Sequence, residues 1–446
     1  MSRKGLRVGI VGAGVAGCSA AYFLRQEFPS FTEITVYERE PFVGGRILTK
    51  MFAGAEVELG ASFIHSTNRL VNSLIDSLGL KRCPSIHEGT NSQFTVGVWN
   101  GTRFVLRLPA SRPLKYARLA LRYGISLVRL RRSVQKVLAQ WEQIYGLQSA
   151  SSIFASPKEI FESLGLLEAT SKETDGFLAR DHVSSLVRVE LCCAILRAIF
   201  NQTLDVNTFA GVTGLVASGI GGGTTFSVSG GNQRICLELL AATDAQVHTG
   251  RGVAVVDSTQ DHGITVIDDK GIASTFDAVL LSMPLDVSRI TLRRDGTALN
   301  MAADTEWRSV TITCVAGNLS PAFFGLTPQS TVPNLVLTTE EAGMPFSAIT
   351  PVATRDSARH IYKIASDRSL DERLLNDLFL NIDEVFTMTW RAYPCMNPKA
   401  STIPFTLTGG LYYVNAMENI VSTLETEVLA SRNAVRLMRR DFPCAM

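Results

Sequence analysis

The chain has 446 residues, 46% of them hydrophobic and 19% charged, with a formal net charge of +2. That length exceeds what one hydrophobic core serves, so two domains are expected, and the near-neutral balance gives no general attraction for nucleic acid. Eight cysteines without a C-x-x-C pair exclude a disulfide scaffold or a cysteine metal site, and no apolar run is long enough to span a membrane or serve as a secretory signal, so the expected location is the cytoplasm or a membrane surface.

The first fifty residues organise the rest. Val8, Ile10 and Val11 form a short apolar run, read as a buried parallel strand, within Val-Gly-Ile-Val-Gly-Ala-Gly-Val-Ala-Gly. Gly12 permits the tight turn into a helix, Gly14 lets the backbone approach a pyrophosphate, and Gly17 lets the helix lie close on the strand. The N–H groups at the helix start, around Val15 and Ala16, face the phosphates. A second strand, Ile34 to Tyr37, delivers Glu38, followed by Arg39. A carboxylate there accepts both ribose hydroxyls and repels a 2′-phosphate. Gly44, Gly45 and Arg46 then favour a flavin over a nicotinamide dinucleotide, because a second glycine pair and a cation suit an extended pyrophosphate. FAD is the expected cofactor, and no metal is expected.

Val57 and Leu59 alternate as a strand that stops at Gly60. The loop Gly60, Ala61, Ser62 and Phe63 is placed against the flavin ring. His65 just beyond it reads either as a structural hydrogen-bonder or as a catalytic acid–base. From Leu70 to about Leu167 the chain reads as a largely helical inserted cap, with Ser156 and Pro157 starting one helix and Gly165 closing it. Arg112 to Lys136 carries eight basic residues and no acid, with Leu114, Ala117, Leu121, Ile125 and Val128 at helical spacing. This pattern suits either a packed helix with a solvated basic face or an interfacial helix resting on anionic lipid.

Phe226 to Cys236, Phe-Ser-Val-Ser-Gly-Gly-Asn-Gln-Arg-Ile-Cys, reads as a strand, a glycine turn and a helix that return to the flavin domain. Val253 to Val256 pairs with Ile264 to Ile267, with the Val253 backbone at the adenine edge. Asp277 to Pro284 is a buried strand, after which the chain leaves again until about Pro404. Trp390 and Tyr393 of Trp-Arg-Ala-Tyr-Pro line an apolar pocket or simply pack. Leu411 to Val414 forms the last strand, Glu418 follows it, and Thr423 caps a closing helix that begins near Leu424. The positive end of that helix suits the flavin pyrimidine edge, where charge gathers on reduction.

The expected fold is α/β: a Rossmann-type FAD-binding domain from residues 1–70, 205–290 and 404–446, with a discontinuous α+β substrate domain from 71–204 and 291–403. The segments quoted resemble the prenylcysteine oxidase, or farnesylcysteine lyase, family along nearly the full chain. Ser-Gly-Gly-Asn-Gln-Arg-Ile-Cys, Trp-Arg-Ala-Tyr-Pro and the Leu-Tyr-Tyr-Val-Asn tail carry most of the likeness. Ala61 replaces a glycine usual in that family, Ser66 replaces a common proline, and no signal precedes the first strand, in contrast with a lysosomal family location. The resemblance implies a glutathione-reductase-like flavin fold and cleavage of S-prenylcysteine, with oxygen as acceptor, to cysteine, a prenyl aldehyde and hydrogen peroxide. Amine oxidases share the Glu-Leu-Gly-Ala-Ser segment and resemble one another in placing a lysine on a substrate-domain strand near the flavin. That strand reads as Val310 to Val315, with Thr313 in the lysine position and no lysine between Lys270 and Lys363. A non-catalytic prenyl-binding protein would not need the intact phosphate site. No cysteine, histidine or tyrosine occurs at Gly60 to Phe63 or Ala416 to Thr423, which implies non-covalent FAD.

Overall fold

The computed structural model describes residues 5–28, 32–84, 94–259, 263–301, 305–341, 343–352 and 360–443. Its central sheet has six strands in the order Gln246–His248, Thr32–Tyr37, Leu6–Val11, Ala278–Leu281, Leu411–Tyr413 and Thr406–Thr408. All neighbours are parallel except the last pair. Parallel sheets are covered on both faces, which explains the uninterrupted burial of Ala278–Leu281 and the apolar run at Val8, Ile10 and Val11. The helices Val15–Glu27 and Leu424–Asp441 lie side by side against this sheet, and Ser431 Oγ donates to the Ala16 carbonyl at 2.8 Å. Strands from three distant stretches of chain therefore converge where the first helix begins.

A five-stranded sheet contains Val253–Thr259 paired antiparallel with Gly263–Asp268, in a register that sets Val256 opposite Val266. The substrate side rests on a seven-stranded sheet ordered Phe379–Pro394, Trp307–Leu319, Ile361–Ser366, Ala348–Val352, Leu335–Thr338, Val96–Trp99 and Phe104–Leu108.

Its last two strands correct the expectation that Leu70 to Leu167 is largely helical. Val96–Trp99 and Phe104–Leu108 form an antiparallel hairpin around Asn100-Gly101. Gly101 has φ +93°, and Asn100 Oδ1 accepts the N–H groups of Thr102 and Arg103 at 3.2 and 3.0 Å. An Asn-Gly pair between apolar runs is a strong local hairpin signal, and here it outranks the helical surroundings.

The cap helices follow. The basic stretch forms two helices, Arg112–Tyr123 and Ile125–Trp141, broken at Gly124, whose φ is +53°. Ser156 Oγ accepts from Glu159 N–H to cap Pro157–Ser163. The adjacent Cys192 and Cys193 are buried in a π-helical turn, Arg188–Cys193, and the seven described cysteines are free thiols.

Candidate active site

The two glycine turns are built against each other. Gly12 has φ +104°, and a Cβ on Gly17 would lie 2.0 Å from the Gly12 carbonyl oxygen, so only glycine lets the helix start this close to the strand. Gly14 forms a parallel bridge with Gly44, whose N–H donates to the Ala13 carbonyl at 2.8 Å. Glu38, at the end of its strand, accepts Ala13 N–H at 2.7 Å and Glu40 N–H at 2.8 Å, which fixes the carboxylate plane. Arg39, Gly252 and Val253 stand beside it on the wall of one long cavity.

This cavity, of about 2290 Å³, is lined by Gly12, Gly14, Val15, Ala16, Glu38, Arg39, Gly45, Arg46, the loop Gly60 to Phe63, His65, Val253, Thr423 and Leu424. Two residues expected to contact the cofactor stand behind that wall. Gly17 packs under Gly12, and Glu418 is 1% exposed and paired with Arg46. Arg46 also donates to the Ala392 carbonyl at 2.9 Å and stacks over Trp307 with 5.6 Å to the ring centroid. Burial works against its charge, but Glu418 and Glu427 outweigh burial and hold it above its ordinary value. Arg46 is therefore a brace between the glycine turn and the substrate sheet, where the sequence reading expected a fork free for the pyrophosphate.

The loop after Leu59 is fixed from two sides. A Cβ on Gly60 would lie 1.9 Å from the Arg46 carbonyl oxygen, so this loop crosses directly over the glycine turn. From one side, Asn232 Nδ2 donates to the Ala61 carbonyl at 2.9 Å and Asn232 N–H to Glu58 Oε1 at 2.6 Å. Gln233 Nε2 donates to the Val43 carbonyl at 2.7 Å, so the Gly-Gly-Asn-Gln turn ties both flavin loops together. From the other side, Lys363 Nζ donates to the Glu58 carbonyl at 2.8 Å and to Ser62 Oγ. Burial lowers the Lys363 pKa, with Cys314 and Glu58 opposing, and burial raises the Glu58 pKa against its hydrogen bonds from Asn232 and Thr49.

Lys363 corrects the lysine argument. Val310 and Ile312 face the cavity, whereas Thr313 is buried away from it. Lys363 sits on the neighbouring antiparallel strand opposite Cys314, two residues along from the Ile312–Ala365 pair, and it lines the cavity. An antiparallel pairing brings residues about fifty positions apart onto one face, which a search along a single strand misses. Asn232, Gln233 and Lys363 were not singled out individually by sequence. The first two lie within the most particular quoted motif, and that was their signal.

His65 ends a short strand, Ile64–His65, paired with Thr225 and Phe226. Its Nδ1 accepts Thr67 N–H at 3.3 Å and lies 2.8 Å from Thr67 Oγ1. Gly223 packs against its ring so closely that a Cβ there would stand 2.4 Å from Cε1. The ring lines the cavity with one nitrogen committed to its own loop, which is the geometry of a brace.

Thr423 and Thr426 form a reciprocal capping box at the start of the closing helix, on the cavity wall. Asn415 Oδ1 and both carboxylate oxygens of Glu427 are buried on the same wall with no hydrogen-bond partner among the described residues. Buried polar atoms are almost always satisfied, so these mark where a polar ligand completes the site. The glycine cradle, Glu38, the free helix start and these unpartnered atoms fit a dinucleotide. Besides the cradle and the Gly60 loop, the same cavity is lined by apolar side chains of cap and sheet, among them Trp390, Phe209, Trp141, Ile195 and Val216.

Known proteins share this architecture. The chain is 30% identical to farnesylcysteine lyase of Arabidopsis thaliana and 28% identical to prenylcysteine oxidase 1 of Homo sapiens, in each case over 97% of this chain and 88% of the relative. Among solved structures, a cyclohexylamine oxidase from Brevibacterium oxydans IH-35A superposes with a TM-score of 0.66 at 16% identity, covering 98% of this chain and all of its own. A redesigned putrescine oxidase gives 0.67 at 16% identity over 98% and 99% of the two chains. At that identity the structural neighbours speak for the fold alone. The glycine cradle and Glu38 fit FAD as the cofactor. Residues 10–78 match the NAD(P)-binding Rossmann-like domain, and residues 111–445 match the prenylcysteine lyase family. The chain belongs to the prenylcysteine lyase family.

Proposed function

We propose that this protein is an FAD-dependent oxidase that cleaves the thioether of S-prenylcysteine. The observation that carries the reading is a single cavity lined both by the dinucleotide cradle and by apolar side chains of cap and sheet, among them Trp390, Phe209, Trp141, Ile195 and Val216. A farnesyl or geranylgeranyl chain needs such an apolar lining, and a small polar amine does not. Bound FAD supplies the acceptor for hydride from the carbon joining sulfur to the allylic chain, and oxygen is the final acceptor.

That carbon is an unusually good hydride donor, because sulfur and the neighbouring double bond both stabilise the cation left behind. No strong base is then required, so positioning dominates catalysis. Asn232 and Lys363 lock the Gly60 loop, Trp390 packs against it, and the apolar side chains lining the cavity suit the prenyl chain. Water adds to the carbon cation, and the resulting hemithioacetal collapses. Thioether, oxygen and water give aldehyde, cysteine thiol and hydrogen peroxide. Oxygen uptake with S-farnesylcysteine tests this directly: the expected result is one peroxide per cysteine released, with spermine and benzylamine inert. Uptake with the amines alone would favour an amine oxidase.

The same reading includes contact with an anionic membrane surface. Arg112, Lys115, Tyr116 and Leu119 line the cavity, so the basic helix forms part of its rim. On the same two helices Leu121 is 87% exposed, Tyr116 66%, Ile125 61% and Leu114 59%, an arrangement that suits shallow insertion among lipid headgroups. No helix among the described residues is long and apolar enough to cross a membrane.

Not every cation in this stretch is available for lipid. Arg122 is held by Glu190 at 2.7 and 2.6 Å, and Arg129 donates to the His182 carbonyl at 3.0 Å, so reversing either would damage the cap itself. The informative variant is Leu121→Asp with Ile125→Asp. The wild type is expected to cosediment with phosphatidylserine vesicles in a salt-sensitive manner, each basic residue near the surface adding about 1 kcal/mol. The double variant is expected to stay in solution. Binding indifferent to salt, lipid charge and this variant would contradict membrane docking.

A further inference from the structure

Glu427 sits in the first turn of the closing helix, 4% exposed, and neither of its carboxylate oxygens has a hydrogen-bond partner among the described residues. It lines the cavity. One turn further on, Ser431 on the same helix face bonds the Ala16 carbonyl, so this face looks onto the phosphate-binding turn. The charged and titratable groups around Glu427 are Arg46 of the second glycine turn, Glu418 of the turn before the helix, and Tyr413 at the end of the last parallel strand.

Arg46 is already paired with Glu418, which leaves one cation among two carboxyl groups. An additional anion here would face the negatively charged diphosphate of the cofactor with no second cation to offset it. Burial first and Glu418 second push the Glu427 carboxyl well above the ordinary carboxylate range, with Arg46 pulling the other way.

We propose that Glu427 is a cofactor ligand, a neutral acid that donates a hydrogen bond to an oxygen of the diphosphate–ribityl segment of FAD. The inference rests on FAD binding and is independent of the thioether chemistry. The sign follows from the protonation state. FAD binds the protonated form, so affinity is constant while free Glu427 is neutral and falls as pH rises through its titration, by roughly tenfold per pH unit.

The test is FAD affinity measured by flavin fluorescence on protein stripped of FAD and re-titrated at a series of rising pH values over which the protein stays folded. Glu427→Gln keeps a donor and loses the titration, so it is expected to bind as tightly as wild type at low pH and not to weaken over this range. Glu427→Ala is expected to bind about tenfold or more weakly throughout. Where a variant does not fold, calorimetry on the wild type decides. Above the titration, binding is expected to take up a proton, seen as a heat that changes with the ionisation enthalpy of the buffer. Wild-type pH dependence retained in Glu427→Gln, unchanged affinity in Glu427→Ala, or no proton uptake by the wild type would each overturn the proposal.

Discussion

Gly17→Ala is expected to yield a colourless or insoluble protein. The added Cβ would stand 2.0 Å from the Gly12 carbonyl oxygen and 2.6 Å from Ser282 Oγ, and neither can retreat. Gly12 is held by its N–H bond to the Tyr37 carbonyl at 2.8 Å, and Ser282 Oγ lies 2.7 and 2.8 Å from the Val11 and Gly12 carbonyl oxygens, which share its single proton. The first helix must tilt away from the sheet, breaking both the phosphate turn and its packing on the closing helix. A cost above about 4 kcal/mol is expected, in the range reserved for severe core overpacking or backbone strain. Gly176→Ala is the control. That residue lies in the helix Thr174–Arg180 with nothing near its Cβ position, so alanine there should leave stability unchanged or raise it by up to about 1 kcal/mol. Thermal melts of the two variants check the contrast, and equal behaviour would remove the steric account of the turn.

Arg46→Met is expected to be the most damaging single change that keeps the side-chain volume. It strands Glu418 as a buried carboxylate whose remaining partners are Ser422 Oγ at 3.2 Å and Asn415 Nδ2 at 3.1 Å, with Glu427 nearby as a second acid. Breaking a buried ion pair from one side costs roughly 3–5 kcal/mol, mainly because the remaining charge is left without its partner. Adding Glu418→Gln to Arg46→Met should recover much of that loss in a double-mutant cycle. Loss of FAD without loss of stability would instead make Arg46 a direct clamp on the cofactor. A drop in stability that Glu418→Gln does not relieve would contradict the pairing account.

Much of the dinucleotide half was legible because its constraints are local. A glycine that must admit a turn, a strand that must end in an acid and a threonine that must cap a helix each act within a few residues. Gly12, Glu38 and Thr423 therefore stand where spacing put them. The substrate half was harder because its constraints run between strands. Thr313 looked like the lysine position along one strand, yet it faces away from the cavity, and the ammonium on the cavity face comes from Lys363 on the next strand, as only the antiparallel register reveals. Arg46 was read by its charge alone, and the buried Glu418 that claims it lies more than 370 residues away. The Asn100-Gly101 hairpin differs, since its signal was local and was outweighed by the helical pattern on its far side.

The most direct test of the central claim is an anaerobic titration of the FAD-loaded protein with S-farnesylcysteine. The account predicts that the oxidised flavin bleaches, with prenyl aldehyde and free cysteine formed in equal amounts and one of each per flavin reduced, while spermine and benzylamine leave the spectrum unchanged. Bleaching by an amine, with no change on adding any prenyl thioether, would contradict it.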